Sequence, residues 1–279
     1  MKMRTEVTKA VLPVAGLGTR LRPLTYHQPK GMVGIVDKPL IHYVIDELVS
    51  EGIRHIIFVT SEGQTQFQTY TDYLQADSEW KQLGIKFDFT VQKELKGSAD
   101  ALLSAEKLLS DEPFLVYFGD ELLAGKESST RGFIKNYQKT KSPILVLHKV
   151  ARDIVERYGI VRSEESKTGL RQITDLVEKP KKEEAPSDLA AMGRYLLTTD
   201  IFNWIRKAQE IPTNKKEIAI ADALGLYVKN GGELFGWVFE GDIFDVGSKL
   251  GLLQAQAYYG LQHPEFKEEF HKFLKKIVN

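Results

Sequence analysis

Three features of the 279-residue sequence predict an α/β fold built on a Rossmann-like, doubly wound, mostly parallel sheet. Short continuous apolar runs, such as His55–Thr60 and Phe114–Phe118, read as strands buried on both faces. Segments with apolar residues at helical spacing alternate with them. A glycine-rich turn, Ala15-Gly16-Leu17-Gly18-Thr19-Arg20, comes directly after the first strand, and ligands of such sheets lie at the carboxyl ends of strands.

Each element has a local reason. Lys9–Val14 is the first strand. Pro39–Ser50 carries Leu40, Ile41, Val44, Ile45 and Leu48 on one helical face, and Gly52 ends it. His55–Thr60 is the second strand, and residues 64–75 form the next helix. Lys86–Gln92 alternates as a strand, and Ser98–Leu109 is an amphipathic helix with Ser98 as its N-cap. Phe114–Phe118 is the next strand. Pro143–Val150, Leu170–Glu178 and Glu233–Glu240 read as strands and Asp200–Gln209 as a helix. Lys181–Pro186 is a charged surface loop, and 249–259 and 264–277 are C-terminal helices. With no repeat, long linker or low-complexity tract, one domain spans 1–279 with substrate-binding elements inserted after the first half.

Composition narrows the function classes. Lys plus Arg total 38 and Asp plus Glu total 38, so nothing favours nucleic acid or an anionic membrane as partner. The absence of cysteine excludes disulfides, thiolate catalysis and cysteine-ligated metals. The His residues lack ligand spacing. No apolar run approaches the ~20 residues of a membrane helix. The basic start Met1-Lys2-Met3-Arg4 is no signal peptide, because Arg20, Arg22 and the glycine turn interrupt the apolar stretch behind it. A cytoplasmic protein is expected.

The glycine turn lets several backbone N–H groups converge on a polyphosphate. Arg20 and Lys30, the latter in Pro29-Lys30, add positive charge beside them. A Walker A loop would need Lys-Ser/Thr after Gly18, and a dinucleotide fingerprint would need glycine where Leu21 stands. Gly119-Asp120 ends one apolar strand, and Phe244-Asp245-Val246-Gly247 comes after another. Two such carboxylates suit Mg²⁺ held together with phosphate oxygens, although each alone is equally a turn cap. Glu178 and Lys179 end a strand and taken alone read as an exposed ion pair. Gln92 offers an amide donor and acceptor to a base edge. Tyr158-Gly159 and Met192-Gly193-Arg194-Tyr195 are glycine–aromatic steps that ordinary turns explain equally well. Lys96-Gly97-Ser98 opens a helix whose N-terminus is positive.

Taken together, these motifs resemble those of the bacterial glucose-1-phosphate uridylyltransferases, within the sugar-nucleotide pyrophosphorylase family. The strongest parts are Ala15–Arg20, Val36-Asp37-Lys38-Pro39, the run from Val177-Glu178-Lys179-Pro180 through Ser187–Ala190 to Gly193–Thr198, and Phe244–Gly251. The resemblance covers the whole chain in the same order. Gly31 and Gly34 stand where that branch carries Glu and Pro. Arg22–Thr25 and Gly97–Leu102 are more similar to relatives making dTDP-, ADP- or GDP-sugars.

The resemblance implies roles for individual residues. Backbone at Ala15, Gly16 and Gly18 would line base and phosphates, and Gln92 and Gly97 would read the base. Arg20 and Lys30 would hold the triphosphate, and Asp120 and Asp245 would bind Mg²⁺. Gly159, Glu178 and Gly193 would hold glucose, and Lys179 its phosphate. Residues 1–125 would be mainly nucleotide-binding, 126–248 mainly sugar-binding and 249–279 C-terminal helices, in a homodimer or homotetramer. The implied reaction joins UTP and glucose 1-phosphate into UDP-glucose and pyrophosphate. The same reaction with dTTP, ATP or GTP, or with another sugar 1-phosphate, is the alternative. A regulatory nucleotide-sugar binder would not need the metal carboxylates, and a glycosyltransferase would carry Asp-x-Asp where Gly119-Asp120-Glu121 stands.

Overall fold

The computed structural model describes residues 7–213 and 215–278; the basic start Met1–Arg4 lies outside them. In chain order the elements are β1 (Lys9–Pro13), β2 (Gly34–Ile35), β3 (Lys38–Pro39), α1 (Leu40–Ser50), β4 (His55–Thr60), α2 (Gln66–Ala76), α3 (Ser78–Gln82), β5 (Lys86–Val91), α4 (Ser98–Ala105), β6 (Phe114–Tyr117) and β7 (Glu121–Gly125). The second half adds α5 (Ser129–Thr140), β8 (Ile144–Lys149), β9 (Gly159–Glu165), β10 (Arg171–Glu178), β11 (Leu189–Leu197), α6 (Ile201–Glu210), α7 (Ile220–Lys229), β12 (Phe235–Val238), β13 (Gly241–Asp245), α8 (Lys249–Gly260) and α9 (Lys267–Val278). Among the described residues no helix is long and apolar enough to cross a membrane.

The main sheet has nine strands in the order β5-β4-β1-β6-β11-β8-β12-β10-β9. The first four are parallel neighbours, and β12 runs parallel to β8. β11 and β10 run against the rest, so the mostly parallel sheet becomes mixed in its second half. Alternate residues of the strands feed two cores. Leu12, Phe58, Leu115 and Val146 pack under α1, α2 and α5. Val11, Ile57, Val116 and Leu147 pack under α4, α6 and α7. The sheet is therefore covered on both faces, as its apolar runs require.

Two expectations need correction. Ser98 is not an N-cap of its own helix. Gly97 occupies that position at φ 103° with no side-chain cap, and the Ser98 hydroxyl accepts from the Ile220 N–H at 3.0 Å, at the start of α7. The helix also stops at Ala105, before a 3₁₀ turn at Glu106–Leu108. Second, of the two readings left open for Met192–Tyr195 the turn falls away: these residues are the middle of β11, hydrogen-bonded to β6 on one side and β8 on the other. Gly193 has no room for a side chain there: a Cβ would lie 2.7 Å from Phe118 Cδ2.

Glycine also sets how closely α7 lies on β10. A Cβ at Gly225 would stand 2.6 Å from the Leu176 carbonyl oxygen, which is backbone and cannot rotate away. Gly225→Ala is expected to cost about 1–3 kcal/mol through overpacking. An alanine at Gly231, which has open space but φ 86°, serves as the comparison for backbone strain alone. Urea unfolding of both variants checks this, and an unchanged midpoint for Gly225→Ala would show that α7 rides up at no cost.

Candidate active site

The site is built where β1 stops. Val14 continues the pairing by donating to the Val59 carbonyl at 2.9 Å, and the chain then turns away. Gly18 sits in the left-handed region at φ 60°, and a Cβ there would press on Thr25 Cγ2 at 3.1 Å and Lys30 Cβ at 3.2 Å. The Thr25 hydroxyl locks the turn by donating to the Gly18 carbonyl at 2.8 Å. One 3₁₀ turn, Thr19–Leu21, buries Leu21 and leaves Arg20 exposed. Gly16 lies beside Lys30, whose Nζ would be 3.8 Å from a Cβ at that position.

Two distant carboxylates meet the cations of this loop. Antiparallel pairing of β7 with β13 places Glu121 opposite Asp245, and the Val246 N–H donates to the Asp120 carbonyl at 2.8 Å. Lys30 Nζ lies 2.6 Å from Asp120 Oδ2. Arg20 Nη1 lies 2.9 Å from Asp245 Oδ2, and Nη2 lies 3.9 Å from Asp120 Oδ2. Gly247 keeps the centre open: a Cβ there would be 2.6 Å from Arg20 Nη2, 2.7 Å from Asp120 Oδ2 and 3.0 Å from Asp245 Oδ1. Among the described residues no cluster of three or more His, Asp or Glu side chains could hold a metal. A pair of carboxylates is nevertheless what Mg²⁺ commonly takes from a protein when phosphates and water supply its other oxygens.

A second group lies across β9, β10 and β11. Gly159 pairs with Glu178 on one side and Ala191 on the other. A Cβ at Gly159 would lie 3.2 Å from Glu178 Oε2. Burial raises the Glu178 carboxyl above the ordinary carboxylate range, against the opposing charge of Lys179. Lys179 adopts φ 49°, rare for a residue with a Cβ, and its N–H donates to the Tyr158 carbonyl at 3.0 Å. Its exposed ammonium is 3.4 Å from Glu178 Oε1, on this second group rather than with Arg20 and Lys30.

Glu121 joins the two groups, a role that sequence reasoning missed. Its Oε2 accepts from the Gly193 N–H at 2.7 Å. Its carboxyl is pushed up to about 7, first by loss of hydration and then by Asp120 and Asp245. Tyr158 feels the same acids: burial, then Asp245 and Glu121, raise its phenol. A carboxylate directly after Asp120 was the available signal, but its meaning depends on Gly193, which is distant in sequence.

Gln92 and Gly97 form a third group at the end of β5. Gln92 is buried, and its side-chain nitrogen donates to the Gly97 carbonyl at 3.0 Å and to Asp100 Oδ2 at 2.9 Å. Both amide hydrogens are thus engaged within the protein, which leaves Oε1, an acceptor, as the side chain's remaining polar atom. The expectation that Gln92 presents donor and acceptor together is revised to acceptor alone. Gly97 is required by packing, since a Cβ would lie 2.4 Å from the Ile218 carbonyl oxygen.

A glycine turn on a parallel strand, with cations and paired carboxylates at its mouth, defines a nucleotide-handling site of the nucleotidyl transferase kind. The family model described as nucleotidyl transferase matches residues 9–261, and the chain belongs to that family. More particularly, it is 34% identical to UTP–glucose-1-phosphate uridylyltransferase 1 of Streptococcus pyogenes, over 98% of this chain and 95% of that one. A UDP-glucose pyrophosphorylase complexed with UDP-glucose superposes with a TM-score of 0.83 at 34% identity, covering 92% of this chain and 100% of the other. The UTP-bound UGPase from Acinetobacter baumannii gives a TM-score of 0.80 at 31% identity, over 96% and 98% of the two chains.

Gly247→Ala tests the geometry directly. The three atoms nearest to its methyl group would be charged side-chain ends, so the fold should survive while Arg20, Asp120 and Asp245 are displaced. Turnover is expected to fall at least tenfold with the thermal midpoint within about 3 °C, a shift worth roughly 1 kcal/mol in a chain of this size. Unchanged turnover would mean that the three groups need not converge.

Proposed function

We propose that this chain joins UTP to glucose 1-phosphate, forming UDP-glucose and releasing pyrophosphate. The observation that carries the reading is the convergence of Arg20, Lys30, Asp120 and Asp245 on the β1 loop. The full-length similarity to uridylyltransferases supports it.

A phosphate oxygen of the sugar phosphate attacks the α-phosphorus of UTP. The bond from that phosphorus to the bridging oxygen of the β-phosphate breaks, and its electron pair leaves with pyrophosphate. The attacking group carries roughly −1.5 to −2 charge near neutral pH, so it needs no general base. The obstacle is the approach of two polyanions. Arg20 and Lys30 hold the triphosphate and stabilise charge on the leaving pyrophosphate, and Lys179 holds the sugar phosphate in line. Backbone at Ala15, Gly16 and Gly18 lines the base and phosphates. Gly159, Glu178 and Gly193 form the glucose wall, where Glu178 accepts from sugar hydroxyls. Asp120 and Asp245 would hold Mg²⁺, which would supply charge neutralisation to the phosphates.

The base is read by Gln92 Oε1, which accepts the ring N–H of uracil, with Gly97 beside it. Thymine presents the same N–H, so its extra methyl is the only difference to be sensed. The regions 1–125, 126–248 and 249–279 act mainly on nucleotide, on sugar and as C-terminal helices. The same reading makes the protein a cytoplasmic homodimer or homotetramer. Exposed Leu250, Leu253, Phe273 and Ile277 on α8 and α9 support assembly through those helices.

Pyrophosphate release measured with UTP, dTTP, ATP and GTP against several sugar 1-phosphates tests the assignment. UTP with glucose 1-phosphate should give the highest kcat/KM. dTTP, which adds a methyl group to the base and lacks the ribose 2′-hydroxyl, should be weaker by at least about 10-fold. ATP and GTP should lie near background. A higher kcat/KM for a purine nucleotide would overturn the uridylyl assignment and leave the reaction class standing.

The metal assignment has its own test. Asp120→Asn keeps the shape and removes a charge, and a neutral amide is a poor partner for a hard dication. The variant should remain folded, lose most turnover and bind Mg²⁺ in the presence of UTP more weakly by calorimetry. Wild-type Mg²⁺ affinity in the variant would remove Asp120 from the metal site.

A further inference from the structure

Beneath the site lies a charged side chain with no exposure to solvent. Arg194, in β11, is 0% exposed and heads the fully buried side chains by volume. Its guanidinium carbon lies 3.9 Å from the Tyr117 ring centroid, and Nη2 lies 3.8 Å from Glu47 Oε2. Glu47 Oε1 is occupied by Ser129 Oγ at 2.6 Å, the Thr130 N–H at 3.0 Å and Thr130 Oγ1 at 3.1 Å. Arg194 Nε and Nη1 have no hydrogen-bond partner among the described residues. Such a buried guanidinium weighs against folding, and an apolar side chain of similar volume would fill the space at lower cost.

What an apolar side chain could not do is make one directed bond. Arg194 Nη2 donates to the Glu121 carbonyl at 2.8 Å. The preceding residue, Gly193, donates its N–H to the Glu121 carboxylate at 2.7 Å. Two consecutive residues of β11 therefore grip Glu121 at its carbonyl and its side chain. Glu121 in turn comes directly after Asp120 and pairs with Asp245 across the β7–β13 ladder. The grip falls between the carboxylate pair and the wall formed by Gly193.

We propose that Arg194 and Glu121 are positioning residues for the transfer reaction, holding Asp120 and Asp245 at a set distance from the Gly193 wall. The proposal rests on the functional reading above. Freed of the Arg194 bond, the start of β7 can shift, and an in-line displacement loses rate steeply with small misplacement of its reactants.

Arg194→Lys tests this in the full chain. Lysine keeps positive charge near Glu47 but lacks the planar fork that reaches the Glu121 carbonyl. Well below its melting temperature, the variant should lose at least tenfold in kcat, with KM for UTP within twofold of wild type. Calorimetry should show weaker UDP-glucose binding and unchanged UTP binding. Tyr117→Phe is the control, since it removes a buried hydroxyl 2.8 Å from Thr130 Oγ1 and keeps the ring under the guanidinium. It should lower the melting temperature and leave the kinetic constants near wild type. An Arg194→Lys protein that behaves like Tyr117→Phe would overturn the proposal and make Arg194 a structural residue only.

If Arg194→Lys does not fold, Glu121 carries the test. Glu121→Gln keeps an acceptor for the Gly193 N–H, and Glu121→Met does not. A kcat at least tenfold higher for Gln than for Met supports positioning. Equal losses overturn it, because they make the charge of Glu121 a direct participant. A wild-type protein that forms no UDP-glucose would sink the functional reading and this proposal together. An active wild type with an unimpaired Arg194→Lys would sink this proposal alone.

Discussion

The pairing of β7 with β13 is the constraint on which the site depends. Five residue pairs, from Gly241 with Gly125 to Asp245 with Glu121, close a segment longer than a whole small domain. The entropy of closing such a loop grows only slowly with its length, so the ladder need not be long. It does need support, because two strands alone are marginal in water. Support comes from the core: Leu122 and Phe244, paired directly across the ladder, are both buried, and Tyr258 of α8 packs on Phe244 with ring centroids 5.0 Å apart. C-terminal helix packing is thereby linked to carboxylate placement.

Bringing Asp120 and Asp245 together has an electrostatic cost. In the protein alone, Lys30 and Arg20 offset it through the contacts at 2.6 and 2.9 Å. The arrangement can also be exchanged without leaving a charge unpaired. Under the functional proposal, the carboxylates turn to a cation and the two basic side chains turn to phosphate. Both partners of each ion pair then find a new partner in the same step. This accounts for why Arg20 can remain more than half exposed and still matter: its value lies in availability, since an exposed pair contributes little to stability.

The parallel half of the fold was legible because its strands are unbroken apolar runs and its turn chemistry is local. The β1 loop and the two strand-end aspartates were legible for the same reason. β11 was not. Its run of apolar residues is broken by Gly193 and Arg194, and the reasons for both lie elsewhere: the Phe118 ring for the glycine and the Glu121 carbonyl for the arginine. α7 was hidden likewise, since Ser98, distant in sequence, accepts from its first N–H, that of Ile220, and Gly225 fits against Leu176. α5 could have been found, because Ser128 is an ordinary N-cap whose hydroxyl accepts from the Arg131 N–H at 3.1 Å.

The residues that escaped a local reading are also those that carry the contact between the two halves of the site. Gly193, Arg194 and Glu121 make poor sense one at a time: a glycine in a central strand weakens it, a buried arginine burdens it, and a carboxyl beside two others loses hydration. Together they are joined by two hydrogen bonds, which leave Arg194 Nε and Nη1 without a partner among the described residues. A strand that breaks its own periodicity in this way marks the place where the sheet stops serving only the core and begins to hold the ribbon that bears the paired carboxylates. Local cost accepted at β11 is matched by placement gained at β7, and the two cannot be assessed separately.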